Sequence, residues 1–490
     1  MNYCDFLFST SSPKEAIVDI ESGKRFSYTE LQCLVKKLAC FLTESGYKPG
    51  DVLSLHLYNS AEAAIVLLAI QYIGGIACLI DPLFKQAELQ YYLEDSHTSF
   101  FVTHIPKESW DSLGAEKARI LTLGEIQNIL YHSDAHSACL PMYSYAENEI
   151  AMLLYTSGST SMPKAVMLSC GCFYAYLKKS DAAKYIYCKE DKALCFVPFS
   201  HAYGCIAIFF PVMAYQASIV FLRSFHPIKV ANAIEQETIT HLFGVPTHYQ
   251  QLLKYEEIHP ALRKLKAAFC AAAPLNYDTV YGWHKKIGIY LDEGYGITEA
   301  TTLIASRMSS LPQFPGHIGY PPKGLLEIQI VDENRQAIAP GNIGELRVKG
   351  AGIMLGYWKK EAQTAEKIQN GWLYTGDLGY QCTDGSFVLC GRKTDFINVA
   401  GLKISPLEIE SALNSHPYVL DSAAIGLKDD LYGEAIHAFV VLKNTYSISE
   451  RDLIRYLSHK LASFKIPKSI RFLSEFPRNP LGKIDKKKLI

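Results

Sequence analysis

Between Leu153 and Leu168 the sequence LLYTSGSTSMPKAVML places six consecutive small residues, Thr156, Ser157, Gly158, Ser159, Thr160 and Ser161, just before Pro163-Lys164. Hydroxyl donors, backbone N–H groups freed by glycine and one ammonium together suit an oligophosphate. The Walker spacing Gly-x4-Gly-Lys-Ser/Thr is absent. Apolar runs on either side predict a strand, a polar loop and a second strand. By itself such a cluster is an ordinary solvated hairpin loop, so the chemistry depends on what accompanies it.

Further polar residues sit where turns expose them. His201 lies in Pro198-Phe199-Ser200-His201-Ala202-Tyr203-Gly204; a lone histidine of this kind is more often packed or capping than reactive. Ala271-Ala272-Ala273-Pro274 is a side-chain-poor stretch against which a flat ring can lie. Tyr295-Gly296-Ile297-Thr298-Glu299 supplies an aromatic face, a hydroxyl and a carboxylate, the last a ligand type for Mg2+. Asp377 closes Trp372-Leu373-Tyr374-Thr375-Gly376-Asp377 as a turn-held carboxylate, either a turn cap or an acceptor for two ribose hydroxyls. Near the end, Pro480 and Gly482 put Lys483 on an exposed loop, and the lysines after it read as a solvated tail.

The elements that must position these residues follow from periodicity. Ser27-Tyr28-Thr29-Glu30 has capping-box spacing, and Leu31, Leu34, Val35, Leu38, Phe41 and Leu42 mark one helical face up to Gly46. Leu53, Leu55 and Leu57 alternate with Ser54 and His56, which predicts a half-buried strand. A helix from about Ser60 to Ile73 and a strand Ile76–Ile80 repeat the unit, pointing to a mostly parallel, helix-covered sheet. From Leu325 onward the chain is richer in β. The polar break Arg392–Asp395 predicts a hinge between domains 1–391 and 396–490. Beyond it, Phe396–Val399 and Leu402–Ile404 flank Ala400-Gly401 as a hairpin, Ser405-Pro406-Leu407-Glu408 reads as a capping box, and strands Ala423–Leu427 and Ala435–Leu442 complete a small α+β unit.

Composition narrows the class. The chain has 490 residues, 49% hydrophobic and 20% charged, enough for several subdomains of a globular protein. Lys plus Arg (48) nearly balance Asp plus Glu (49), so no global charge favours nucleic acid. The 13 cysteines include no C-x-x-C pair, which argues against zinc and disulfide frameworks and for a reduced, cytoplasmic setting. Two runs, Ala63–Ile80 and Gly204–Leu222, approach bilayer-spanning length, but Gln71, Gly74-Gly75, Pro211 and Gln216 interrupt them. Each is expected to be a buried helix followed by a core strand, with no transmembrane segment.

Taken in order, these segments resemble the adenylate-forming (AMP-binding) superfamily, most of all its acyl- and aryl-CoA synthetases, from about Ser27 to Lys483. The resemblance implies a large N-terminal domain of helix-covered sheets with a β-rich subdomain, and a small mobile C-terminal α+β domain. It implies that Thr156, Ser157, Gly158, Ser159, Thr160 and Lys164 wrap the β- and γ-phosphates of ATP. Ala271, Ala272, Ala273, Pro274, Tyr295 and Gly296 would form the adenine site, with Tyr295 stacking on the base. Thr298 would contact the α-phosphate, Glu299 would bind Mg2+, and Asp377 and Arg392 would hold the ribose. Lys483 would neutralise charge as the acid attacks the α-phosphorus, and His201 would border the carboxylate pocket. Rotation about the hinge, with Thr394 at its pivot, would then present Gly401 to the thiol. Ser161, Ala165, Ala271 and Ala272 stand where the family favours glycine, and Thr394 where it favours Asp or Lys.

No Asp lies between Pro198 and Phe210 to pair with a substrate amine, and Cys205–Phe210 is apolar. A non-amino carboxylic acid with an alkyl or aryl tail is therefore expected, converted with ATP to acyl-AMP and pyrophosphate and then with coenzyme A to acyl-CoA and AMP. One alternative acceptor is the phosphopantetheine arm of a carrier protein acting in trans. Lys460, Lys465, Lys468 and Arg471 are basic residues suited to the phosphates of CoA or to an acidic carrier. An alternative of another class is a nucleotide-binding relative without turnover, which the departures at Ser161 and Thr394 motivate.

Overall fold

In this computed structural model two helix-covered sheets with parallel cores carry the first 300 residues. The description covers residues 2, 4–8, 12–107, 118–132, 140–156, 162–179, 188–301, 303–399, 402–429, 432–443, 446–478 and 484–489. Ser27 opens the helix Tyr28–Glu44 with the expected capping box: its hydroxyl accepts from the Glu30 N–H at 3.2 Å, and the Glu30 carboxylate accepts from the Ser27 N–H at 2.7 Å. Leu31, Val35, Leu38 and Leu42 are fully buried on its inner face. The next helix, Ala61–Tyr72, is buried on every side, because it packs against strands of both sheets. That position accounts for the long apolar run beginning at Ala63. Among the described residues no helix is long and apolar enough to cross a membrane.

The first sheet runs in the order 356–357, 164–169, 150–156, 76–79, 52–56, 100–103, 119–122. Its strand Val52–His56 corrects an expectation. It is buried on both faces, not one, because it is the inner strand of a parallel set flanked by Ile76–Leu79 and Phe100–Thr103. The alternating polar residues are satisfied inside: Ser54 Oγ lies 2.5 Å from Thr98 Oγ1, and His56 Nδ1 lies 2.9 Å from Thr103 Oγ1.

The second sheet runs 305–307, 291–295, 267–271, 241–244, 192–195, 218–221, 15–19, 24–27, with parallel pairing from 291–295 through to 15–19. The apolar run after Gly204 becomes a π-helix, Tyr203–Phe209, continued by the α-helix Phe210–Ala214 and then the buried strand Ser218–Phe221. An antiparallel sheet follows, in the order 317–319, 387–392, 372–381, 344–350, 326–331, with 368–369 on 372–381. It supplies the β-rich texture expected after Leu325.

The remaining unit builds its own core from Ile404, Ile409, Leu413, Ala424, Val440, Leu453 and Leu457. Its sheet runs 402–404, 397–399, 433–442, 419–429, with the parallel strand Ser469–Leu473 added to 433–442. Two expectations are corrected here. Ser405 precedes the helix Pro406–Asn414 without forming a capping box: its hydroxyl donates to the Cys390 carbonyl instead, and Glu408 is engaged by Lys465 at 2.6 Å. The lysines after Lys483 are not a purely solvated tail. Lys486 Nζ pairs with Glu410 at 2.7 Å and donates to the Ala424 carbonyl, while Leu489 is buried in a small apolar cluster.

Candidate active site

Four segments of the site leave the C-terminal ends of adjacent parallel strands in the second sheet, the edge at which open α/β sheets bind ligands. Lys192–Cys195 leads to His201, His241–Gly244 to the helix at Pro246, Ala267–Ala271 to Ala272–Pro274, and Leu291–Tyr295 to Gly296–Glu299. In the first sheet the antiparallel pair Ile150–Thr156 and Lys164–Ser169 brings Thr156 opposite Lys164 across the loop. Tyr91 fixes the far end of that loop by donating to the Pro163 carbonyl at 2.6 Å. Ser157, Gly158, Ser159, Thr160 and Ser161 lie outside the described residues, as do Gly401 and Lys483.

Tyr295, Asp377 and Arg392 converge. The Tyr295 hydroxyl donates to Asp377 Oδ2 at 2.5 Å, and Arg392 Nε meets Asp377 Oδ1 at 2.7 Å. Asp377 is not the turn residue that its Thr-Gly-Asp context suggested. It lies within the strand Trp372–Gln381, directly opposite Arg392 of Phe387–Arg392. The turn chemistry instead supports the strand: Gly376 takes φ +80°, and the Thr375 hydroxyl accepts from the Asp377 N–H at 3.0 Å. Asp377 is 6% exposed, so its charge is held by these two donors and not by bulk water. Burial disfavours the Arg392 charge, but the carboxylates of Asp377, Glu299 and Asp395 outweigh it and raise the guanidinium pKa. Burial and Asp377 likewise push the Tyr295 phenol up, which keeps it a donor.

Thr298 and Glu299 occupy a single 3-10 turn, Thr298–Ala300. Thr298 is buried, and the Glu299 carboxylate accepts from the Tyr357 hydroxyl at 2.9 Å. Lys164 Nζ stands 5.3 Å from the centre of the same Tyr357 ring. Sequence reading missed Tyr357. Nothing local to Gly356-Tyr357 signals that it pairs with the strand Lys164–Ser169. Ala272 stands in the left-handed region at φ +73°, where a Cβ is strained and glycine fits without cost.

His201 caps the π-helix that follows it: its Nδ1 accepts from the Tyr203 N–H at 3.1 Å, leaving Nε2 as the protonated nitrogen of the neutral ring. Tyr203 is buried with its hydroxyl 3.1 Å from the Phe269 carbonyl and 3.3 Å from that of Gly244. Although 198–210 contains no Asp, the fold brings one near. Asp81 Oδ2 lies 3.4 Å from Ser200 Oγ, and burial raises its pKa. Arg392 ends its strand and residues 393–395 form the turn that leads to the C-terminal unit. Of the four basic residues noted there, Lys465 and Lys468 are committed to Glu408 and Asp429, while Lys460 and Arg471 lie over the rings of Tyr456 and Phe439.

Comparison with known proteins identifies the family. The AMP-binding enzyme model matches residues 9–358, and the model of the AMP-binding enzyme C-terminal domain matches 408–483. A long-chain-fatty-acid–CoA ligase of Bacillus subtilis is 30% identical over 96% of this chain and 90% of its own length. A feruloyl-CoA synthase of an Amycolatopsis species is 30% identical over 94% of this chain and 93% of its own. The crystal structure of ATP-bound MatB from Rhodopseudomonas palustris superposes with a TM-score of 0.92 at 28% identity, covering 100% of this chain and 98% of that one. The chain therefore belongs to the AMP-binding enzyme family, with both the large domain and the C-terminal domain of that family present.

Proposed function

We propose that the protein is an AMP-forming acid–thiol ligase that activates a non-amino carboxylic acid with ATP and passes the acyl group to coenzyme A. The observation that carries this reading is the convergence of Tyr295, Asp377 and Arg392 beside Glu299 and Lys164, at the edge where four parallel strands end. Asp377, ionised beside Arg392, accepts from the ribose hydroxyls. The adenine lies on Ala272, Ala273 and Pro274 and against the ring of Tyr295, next to Gly296. Thr156, Lys164 and the intervening Ser157–Thr160 hold the phosphates, and Thr298 reaches the α-phosphate.

Glu299 suits Mg2+ in one respect. Mg2+ is held by one or two carboxylates completed by phosphate oxygens and water, and the Glu299 carboxylate is joined through Tyr357 to the surroundings of Lys164. Among the described residues no three His, Cys, Asp or Glu side chains group to hold a metal, so other ligands would come from the nucleotide. When bound, the ion would neutralise phosphate charge. Lys483 adds a second cation as the carboxylate oxygen attacks the α-phosphorus and pyrophosphate leaves. In the second step the thiol sulfur attacks the acyl carbon and AMP departs. Residues 392–395, with Thr394, act as the hinge that exchanges Lys483 for the hairpin at Gly401 between the two steps. His201 borders the acid.

A cytoplasmic setting fits the cysteines, of which the described ones are free thiols. Transfer to a carrier-bound phosphopantetheine is the second acceptor reading. Lys465 and Lys468, which suit the phosphates of CoA or an acidic carrier alike, are engaged within the unit and so favour neither acceptor. A nucleotide-binding relative without turnover is disfavoured by the intact polar constellation.

Mass spectrometry of products from purified protein, Mg-ATP and coenzyme A, with a panel of fatty, aryl and amino acids, tests the reading. Acyl-CoA and AMP from one class are expected. Acyl-AMP accumulating without acyl-CoA would move the acceptor to a carrier protein, and a requirement for an amino group would bring Asp81 into the acid pocket. No AMP from any acid would leave nucleotide binding alone.

A further inference from the structure

Tyr357 is a buried side chain that none of the roles above uses, and its surroundings are specific. It is 4% exposed and sits on the two-residue strand Gly356–Tyr357, which pairs with Met167 and Val166 on the strand leaving the phosphate loop. Two further backbone bonds zip this segment to the same strand: Leu355 N–H to the Met167 carbonyl and Trp358 N–H to the Ala165 carbonyl, both 2.9 Å. On its other side the segment is tied to the turn that carries Glu299. The Met354 N–H donates to the Glu299 carbonyl at 2.9 Å, and the Thr301 hydroxyl donates to the Gly352 carbonyl at 2.6 Å. The Tyr357 hydroxyl then reaches Glu299 Oε1 at 2.9 Å, while its ring faces Lys164 Nζ at 5.3 Å. One side chain thus spans the phosphate-loop cation and the carboxylate beside it.

We infer that Tyr357 is a positioning residue for adenylation: it sets the Glu299 carboxylate, through one hydroxyl donor, in the orientation that receives the metal ion of Mg-ATP, and sets it in register with Lys164. The inference rests on the reading of Glu299 as the metal carboxylate. A carboxylate has two oxygens and rotates freely when neither is held. A buried donor on Oε1 restricts that rotation, and Oε2 would be the oxygen open to a cation. The tyrosine has no alternative site, because its strand is anchored. Its own N–H donates to Thr364 Oγ1 at 2.9 Å, and Gly356 takes φ +148° where a Cβ would come within 2.6 Å of Thr364 Cγ2.

The test is calorimetric titration of the full chain with ATP across a Mg2+ series, together with Mg2+-dependent ATP–pyrophosphate exchange, for wild type, Tyr357→Phe, Glu299→Gln and the double variant. Tyr357→Phe is expected to raise half-saturating Mg2+ by about 10-fold in both assays, the scale of one hydrogen bond to a charged group, while affinity for ATP without Mg2+ stays within about twofold. In the Glu299→Gln background the same change should add almost nothing, since the two residues act as one unit. Thr364→Val, which removes the acceptor of the Tyr357 N–H and loosens the strand that anchors the ring, should lower the melting temperature and raise half-saturating Mg2+ in the same direction as Tyr357→Phe but by less. A Tyr357→Phe protein with the wild-type Mg2+ dependence, or one whose effect persists in full beside Glu299→Gln, would overturn the inference. Glu299→Gln with an unaltered Mg2+ response would instead overturn the metal reading of Glu299 and this inference with it.

Discussion

Polar side chains are used in opposite ways in the two units of this molecule. In the large unit Tyr295, Asp377 and Arg392 form one linked group and Tyr357 and Glu299 another, both facing the ends of parallel strands. In the C-terminal unit the ion pairs Lys465–Glu408, Lys468–Asp429, Arg478–Asp421 and Lys486–Glu410 fasten the unit to itself. Groups held before a ligand arrives need no reorganisation when charge develops, which is the condition for electrostatic catalysis. The two linked groups of the large unit meet that condition. In the C-terminal unit the basic residues at 465, 468, 478 and 486 are already paired, so these four hold the unit together more than they offer a standing basic surface.

The largest way to sharpen this contrast is Lys483→Ala. Adenylation should fall by roughly 100-fold, the scale for one preorganised charge donor, whereas preformed acyl-AMP should still react with thiol. Equal loss in both half-reactions would erase the division of labour. On the large unit, Asp377→Asn should raise the KM for ATP by about 10-fold, as a charged hydrogen-bond acceptor is lost between two donors. An unchanged KM would show that the Tyr295–Asp377–Arg392 group is structural.

Smaller effects separate stability from chemistry. Glu410 accepts from the Ala424 N–H at 2.8 Å as well as from Lys486, so Glu410→Ala should destabilise the C-terminal unit by about 1–3 kcal/mol through an unpaired buried donor. Urea unfolding should show this with ATP affinity unaltered. His56 is fully buried, and desolvation depresses its pKa to about 3. The unfolded imidazole binds a proton near pH 6.5 and the folded one does not, so its contribution is complete above that pH and is lost as pH falls from about 6.5 towards 3. Replacing His56 with Asn should flatten the stability slope in that window by up to about 1.4 kcal/mol per pH unit. The smallest change is Ala272→Gly, which relieves a positive φ and should stabilise the fold by about 0.5–1 kcal/mol; a loss of stability would mean that the methyl group packs usefully against its neighbours.

Much of this was legible in the residues, and the reasons differ by element. Ser27 and Glu30 announce a helix because a capping box is a local device, and the strand pair Ile150–Thr156 and Lys164–Ser169 announces itself through two apolar runs around hydroxyl residues. Ser54 and His56 misled because alternation signals one wet face only when the strand is not inside a parallel sheet; their partners Thr98 and Thr103 are more than 40 positions away. Asp377 reads as a turn-held carboxylate, since its pairing with Arg392 depends on strand register. Ser405 reads as a cap by spacing, yet a carbonyl 15 residues earlier takes its hydroxyl. Tyr357 and Asp81 were invisible because each joins the site through tertiary contact alone.

The most direct test follows oxygen. A substrate acid identified from the panel and labelled with 18O in both carboxyl oxygens is turned over with Mg-ATP and coenzyme A, and the AMP is weighed. Attack on the α-phosphorus transfers one carboxylate oxygen, so AMP should carry a single 18O and pyrophosphate none. Label in pyrophosphate or inorganic phosphate, or unlabelled AMP, would contradict an acyl-adenylate and with it the roles proposed for Thr298, Glu299 and Lys483.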